Sequence, residues 1–79
     1  MPPVDLAAQL EVLFEQLIVQ QRRRVAELAR RLDPRLTDDD LLSPVDIPAL
    51  VASPEWNYED GVLHGFVAAQ MAVRQRLRV

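Results

Sequence analysis

Hydrophobic residues recur at helical spacing through the first third of the chain and stop shortly before a proline. These apolar positions are Leu6, Leu10, Leu13, Phe14, Leu17, Ile18, Val25, Leu28 and Leu32. At 3.6 residues per turn, positions separated by three, four and seven residues fall on one broad stripe of a helix. Asp5 is a suitable N-cap, and Pro34 disfavours helical geometry at the residue before it. We therefore predict a helix over residues 5–32, about 40 Å long at 1.5 Å per residue.

One polar residue, Gln21, lies near the centre of this apolar stripe. It is either a solvated gap in the stripe or a polar residue that faces its symmetry mate in a dimer. The sharper alternative is a residue that sets helix register at a coiled-coil core position. All of these interpretations remain open at the level of the sequence.

A second helix is predicted over residues 57–78, and it carries two different stripes. The large apolar stripe consists of Val62, Phe66, Val73 and Leu77, and the small-residue stripe of Gly61, Gly65, Ala68 and Ala72. A glycine inside a helix costs about 1 kcal/mol relative to alanine, so two glycines one turn apart suggest a packing role. We predict a close helix–helix contact at the small residues, within a hairpin or across a dimer. Alternatively, Gly61 belongs to the helix start and Gly65 has no packing role.

The charges favour an antiparallel arrangement of the two helices. Each helix is acidic at its start and basic at its end: Asp5, Glu11 and Glu15 precede Arg22, Arg23, Arg24, Arg30 and Arg31, and Glu55, Glu59 and Asp60 precede Arg74, Arg76 and Arg78. This order complements the dipole of each helix, and antiparallel packing brings opposite charges together. We predict a single all-α domain, an antiparallel helical hairpin with a partly helical connector over residues 33–56.

The connector, "LTDDDLLSPVDIPALVASPEW" at its core, contains repeated helix-start signals. Thr37 with Asp40 fits a capping box with a short acid. Ser43-Pro44 followed by Asp46 fits an N-cap with proline at the first helical position. We predict short helices near 38–42 and 45–51. The apolar residues expected to fold back over one end of the bundle are Leu41, Leu42, Ile47, Leu50 and Val51.

Two aromatic residues, Trp56 and Tyr58, lie where the connector meets the second helix. Trp56 is expected to anchor the connector onto the bundle, with its indole N–H at the rim. The alternative is that Trp56 and Tyr58 form a hot spot for a partner protein.

Composition and charge exclude several kinds of chemistry. The chain of 79 residues has no cysteine and one histidine, so disulfides, thiolate metal sites and multi-histidine metal sites are excluded within one chain. The consecutive acids Asp38, Asp39 and Asp40 diverge on a helical turn and match no calcium-loop pattern. We expect no cofactor and no enzymatic activity, because the chain has no nucleophile and base in a recognisable pattern.

Nucleic acid and membrane are also unfavourable partners. The net charge is −3, all nine basic residues are arginine, and Arg22, Arg23 and Arg24 spread around a helix instead of forming a basic stripe. The longest stretch without a charged residue, Gly61 to Val73, is too short to cross a bilayer. The N-terminus carries no basic and apolar segments of a signal peptide, so we expect a cytoplasmic location.

The sequence therefore predicts a small non-enzymatic interaction or assembly module that forms a homodimer, most simply a four-helix bundle, or joins a larger protein complex. The residues predicted at the partner interface are Leu10, Leu13, Leu17, Gln21, Gly61, Gly65, Ala68 and Ala72. The alternative functions are a nucleic-acid-associated regulatory protein that uses the arginines of the first helix, and a carrier of a cofactor or metal in the bundle core.

Overall fold

The first long helix, α1, spans Leu6–Leu32, as the apolar periodicity predicts. The computed structural model describes residues 5–77, apart from the side chain of Val45. At the start of α1, the carboxylate of Asp5 accepts a hydrogen bond from the backbone N–H of Ala8 at 3.2 Å. The helix ends at Asp33, which has an extended backbone and precedes Pro34. Both predicted boundaries of α1 are confirmed, because each depends on a strong local signal.

The connector contains shorter helical pieces than predicted. It forms two 3₁₀ turns, Asp40–Leu42 and Pro44–Asp46, and one α-helical turn, α2, at Pro48–Val51. Each proline begins a new turn, because proline has no N–H to continue the preceding helix. The segment predicted near 38–42 is therefore shortened to 40–42, and the segment predicted near 45–51 begins at Pro44 and is divided at Pro48.

The first capping prediction for the connector is confirmed, and the second is confirmed in position but not in its side-chain hydrogen bond. The backbone N–H of Thr37 donates to the Asp40 carboxylate at 2.8 Å, and the N–H of Asp40 donates to the Thr37 hydroxyl oxygen at 3.2 Å. This reciprocal pair is the predicted capping box. Ser43 is the N-cap of the second 3₁₀ turn and Pro44 its first residue, as predicted, but the Ser43 side chain makes no capping hydrogen bond. The backbone oxygen of Ser43 accepts from the N–H of Asp46 at 3.1 Å.

The second long helix, α3, spans Pro54–Leu77 and begins three residues before the predicted Asn57. The Ser53 hydroxyl oxygen accepts a hydrogen bond from the N–H of Trp56 at 3.1 Å. Ser53 is thus the N-cap and Pro54 occupies the first helical position. The predicted start at Asn57 is therefore too late, and Trp56 lies inside the first turn of α3.

The helices α1 and α3 pack antiparallel, which confirms the all-α hairpin. Arg74, near the end of α3, binds Glu11, near the start of α1, at 2.6 Å. Gln21, further along α1, donates to the backbone carbonyl of Glu59 in α3 at 2.8 Å. The molecule measures 51 × 21 × 20 Å, and the part of the chain that the structure describes contains no strand.

The hydrophobic core lies at the connector end of the hairpin. Its buried residues are Val25, Leu28, Ala29, Leu50 and Trp56, and Leu36, Leu41, Ile47 and Leu63 pack against them. The prediction that the connector covers this end is confirmed for Leu41, Ile47 and the fully buried Leu50. It is wrong for Leu42 and Val51, which are exposed, because a single helical turn can direct only one side inward.

Candidate interaction surface

Two helices packed side by side leave two broad faces. On one of them, the connector residues Leu41, Leu42 and Pro44 line a cavity together with Arg22 and Ala26 of α1 and Trp56 of α3. On the other, which we call the open face, the depression between the helices is lined by residues of α1 and α3. The open face consists of Leu6, Leu10, Leu13 and Leu17 from α1 and of Val62, Phe66, Val73 and Leu77 from α3.

The residues of the open face share one side of the hairpin because of the antiparallel pairing. Leu17 and Phe66 line one shallow depression between the helices, together with Gln20, Gln21 and Arg24. At about 100° per residue, the other members recur on the same side of their own helices. Leu13 is 48% exposed, and Leu10, Leu17 and Phe66 are half-buried. The three leucines predicted at a partner interface are therefore brought together on an accessible apolar surface.

A bidentate ion pair joins the two helices on the side opposite Leu13. Arg74 Nε donates to Glu11 Oε1 at 2.6 Å, and Arg74 Nη2 donates to Glu11 Oε2 at 2.9 Å. These hydrogen bonds, with the charge of the guanidinium, hold the pKa of Glu11 below its usual value and raise that of Arg74. The pair supports the antiparallel orientation of the helices and lies away from Leu13.

Gln21 is buried in the seam between the helices and is only 6% exposed. Its side-chain nitrogen donates to the backbone oxygen of Glu59 at 2.8 Å and to the Glu59 carboxylate at 2.6 Å. The interpretation of Gln21 as a solvated gap is wrong, because the hairpin itself satisfies its amide. Glu59 is the partner that sequence reasoning missed, since only the antiparallel register places it opposite Gln21.

The small-residue stripe of Gly61, Gly65, Ala68 and Ala72 is exposed along the outer side of α3. The buried residues of α3, Trp56 and Gln70, lie roughly half a turn away, toward α1. A Cβ atom built on Gly61 or Gly65 meets no other atom within 4 Å. The predicted close contact within the hairpin is therefore wrong, and contact across a dimer stays a prediction. The predicted interface residues form two separate surfaces.

Replacing Gly65 with alanine is expected to raise the free energy of unfolding by about 1 kcal/mol. The new methyl group meets open space, and the unfolded chain loses conformational freedom. Urea denaturation followed by circular dichroism measures the change, and Ala68→Gly on the same stripe should lower stability by a similar amount. A loss of stability in Gly65→Ala would mean that another helix packs closely against this stripe.

Trp56 packs into the core and is 4% exposed, which confirms its role as an anchor for the connector. Its indole N–H is buried and has no acceptor among the described residues, so the predicted position at the rim is wrong. An unsatisfied buried donor costs about 1–3 kcal/mol, which makes this group unusual. Tyr58 is 70% exposed, and its role as a partner hot spot stays a prediction.

Asn57 joins the connector to α3, and sequence reasoning missed it. Its side-chain nitrogen donates to the backbone oxygens of Ser53 at 2.7 Å and Val51 at 2.9 Å. The last carbonyl groups of any helix need donors from outside, and α2 ends at Val51. The sequence feature that could have indicated this role of Asn57 is its side-chain amide, which comes a few residues after a short helix.

An apolar cavity of about 270 Å³ lies between the connector and the two long helices. Its lining residues are Arg22, Val25, Ala26, Leu41, Leu42, Pro44, Trp56, Asp60 and Leu63. Arg22 and Asp60 are the two ionisable residues in this wall. The Nδ1 atom of His64 lies 2.8 Å from the backbone oxygen of Asp60 and 3.3 Å from the Asp60 carboxylate.

The three consecutive arginines of α1 lie on three different sides of the helix. Arg22 lines the cavity beneath the connector, Arg23 lies beside Glu15 and Val19, and Arg24 borders the open face. The prediction that they form no single basic face is confirmed.

The acidic triplet has structural contacts in place of a ligand-binding arrangement. Asp38 pairs with Arg30, and Asp40 closes the capping box with Thr37. Across residues 5–77, no three side chains of histidine, aspartate or glutamate are grouped in a way that could hold a metal ion. Over the same residues, no helix has both the length and the apolar character needed to cross a bilayer.

The hairpin therefore presents an apolar open face and an apolar cavity. The open face borders Arg24, and the cavity borders Arg22, so each apolar surface has a guanidinium beside it. These surfaces are the basis for assigning a function, because no protein-family model, no curated protein and no solved structure matches the chain.

Proposed function

We propose that the chain is a small non-enzymatic interaction module of the cytoplasm, an adaptor or accessory subunit, that assembles through the open face. The observation that carries the proposal is the contrast between the two sides of the hairpin. One side holds the cavity lined by the connector and the ion pair between Glu11 and Arg74, and the other presents apolar residues from the first half of α1 and from most of α3. Contiguous exposed apolar surface of this kind is typical of protein-binding sites.

The partner that fits best is a second copy of the chain. Two hairpins stacked through their open faces would place Leu10, Leu13 and Leu17 in the centre of a four-helix bundle. A two-fold axis suits this arrangement, because the same surface then serves on both copies. The net charge of −3 per chain is modest, so repulsion between copies is a small opposing effect.

Small size also favours association. A chain of this length buries only a modest fraction of its surface when it folds alone. The fully or largely buried apolar residues of one copy are few: Ile18, Val25, Leu28, Ala29, Leu50 and Trp56. Small proteins commonly gain stability from disulfides or from association, and this chain has no cysteine. Association would also bury more of its apolar surface.

The separation of the arginines supports a protein-binding role over a nucleic-acid-binding one. Phosphate backbones are bound by basic residues clustered on one surface. Arg22, Arg23 and Arg24 lie on three sides, and Arg74 is held by Glu11.

Sedimentation equilibrium at micromolar concentration tests the proposal. The expected mass is twice the 9.0 kDa of one chain, with dissociation on dilution. The midpoint of urea unfolding should rise with protein concentration, because association stabilises the folded state by mass action. A folded monomer with a concentration-independent midpoint would exclude the homodimer and leave only a different partner protein.

A further inference from the structure

The cavity beneath the connector lies on the side of the hairpin away from the open face, and the proposed dimer does not use it. Most of its wall is apolar, built from Val25, Ala26 and Leu63 on the long helices and from Leu41, Leu42 and Pro44 on the connector. Binding pockets for small molecules have this character, an apolar wall with a few polar groups.

The polar groups in the wall of the cavity differ in whether the protein provides them with a partner. Asp60 is bound by His64, whereas Arg22 forms no ion pair within the described part of the chain. The indole N–H of Trp56 has no acceptor there either, but it has almost no accessible surface and so does not face the cavity. Arg22 is an exposed residue at the edge of the cavity, and its guanidinium is therefore open to an anion from solution.

We propose that this cavity binds a small apolar monocarboxylate, with the hydrocarbon part against the leucines and the carboxylate toward Arg22. Charge favours an acid over an amine, because the Asp60 carboxylate already lies 3.3 Å from the ring nitrogen of His64, whereas Arg22 forms no ion pair within the described part of the chain. A guanidinium binds a carboxylate through parallel hydrogen bonds.

The size of the cavity limits the ligand. A volume of about 270 Å³ corresponds to about nine water molecules at ~30 Å³ each. A straight-chain carboxylate of about ten non-hydrogen atoms occupies a similar volume, so octanoate is a suitable probe. Long-chain fatty acids exceed the space.

Binding can be followed through Trp56, the single tryptophan of the chain. Octanoate, octanol and octylamine share one hydrocarbon chain and differ in the head group. We expect a saturable change in tryptophan emission with octanoate, weaker binding of octanol and the weakest binding of octylamine. Equal affinities for the three probes, or no saturable change with octanoate up to about 1 mM, would overturn the proposal.

Two matched pairs of variants locate the site. Arg22→Gln should weaken octanoate binding about three- to fivefold, the effect of an exposed ion pair, and leave octanol binding unchanged. Arg23→Gln is the control, because Arg23 lies outside the cavity. Ala26→Leu should fill the cavity and weaken octanoate and octanol at least tenfold. Its control is Ala8→Leu, at an exposed position five turns earlier on the same side of α1.

Circular dichroism of each variant shows whether the helices remain folded. If Ala26→Leu does not fold, the Arg22→Gln and Arg23→Gln pair still decides the head-group contact. Octanoate binding that survives both Arg22→Gln and Ala26→Leu unchanged would place the ligand elsewhere and overturn the proposal. The result is independent of the dimer, since sedimentation of the unliganded protein reports on the open face alone.

Discussion

Replacing Trp56 with alanine is expected to lower the free energy of unfolding by about 3–5 kcal/mol. Trp56 packs with Val25, Leu28 and Leu50, so its ring joins α1, the connector and α3 in one cluster. Removing the ring leaves a space next to the existing cavity, and the backbone around Pro54 cannot close it fully. Domains are typically stable by about 5–15 kcal/mol and small ones lie toward the lower end, so the loss should remove most of the stability of this chain.

Tyr58→Ala is the matched control for this experiment. Tyr58 is an aromatic residue two positions further along the same helix, but it is 70% exposed. Its replacement should change stability by no more than about 0.5 kcal/mol. Urea unfolding followed by circular dichroism suits both variants, because it does not depend on tryptophan emission. Similar losses in the two variants would show that Trp56 is not part of the core.

Replacing Leu13 with glutamate is expected to raise the dissociation constant of the proposed dimer by at least about a hundredfold. Leu13 lies on the open face, and a two-fold interface would bury the new carboxylate twice without a partner. Burying an unpaired charge costs far more than losing the apolar contact alone. Sedimentation equilibrium over a range of concentrations measures the shift toward monomer.

Val12→Glu separates loss of the interface from a general effect of added charge. Val12 is adjacent in sequence and 58% exposed, compared with 48% for Leu13, but it lies about 100° around α1, outside the open face. Both variants should keep the helical circular dichroism of the parent chain, because neither side chain is buried in one hairpin. Equal effects on the dissociation constant would contradict assembly through the open face.

The parts of the fold that could be predicted from the sequence are those with local causes. Asp5 and Pro34 set the ends of α1, and the Thr37–Asp40 pair set a turn in the connector, through contacts within a few residues. The antiparallel pairing was predictable as well, because the charge order of each helix leaves one favourable alignment. Burial of Leu50 follows from its position in an apolar segment too short to be an independent helix.

The remaining features depend on how the helices and the connector pack against one another. The periodicity of apolar residues along one helix does not indicate what each of its sides contacts. The small residues around Gly65 form a regular stripe whether they pack against another helix or face solvent, and in one hairpin they face solvent. Gln21 breaks the apolar stripe in the same way whether it binds water, a symmetry mate or Glu59. The cavity arises where connector and helices meet, so no single segment of sequence could indicate it.

The uneven distribution of the core along the hairpin has a consequence for local opening. The buried residues of α1 all lie between Ile18 and Ala29, while the first three turns of α1 contribute half-buried side chains such as Leu10 and Phe14 and the ion pair of Glu11 with Arg74. Segments with few buried contacts exchange their amide hydrogens through low-energy openings. The far end of the hairpin is therefore the weakest cooperative unit of the molecule. A partner seated on Leu6, Leu10 and Leu13 would complete the folding of that end, so recognition and final ordering would be one event.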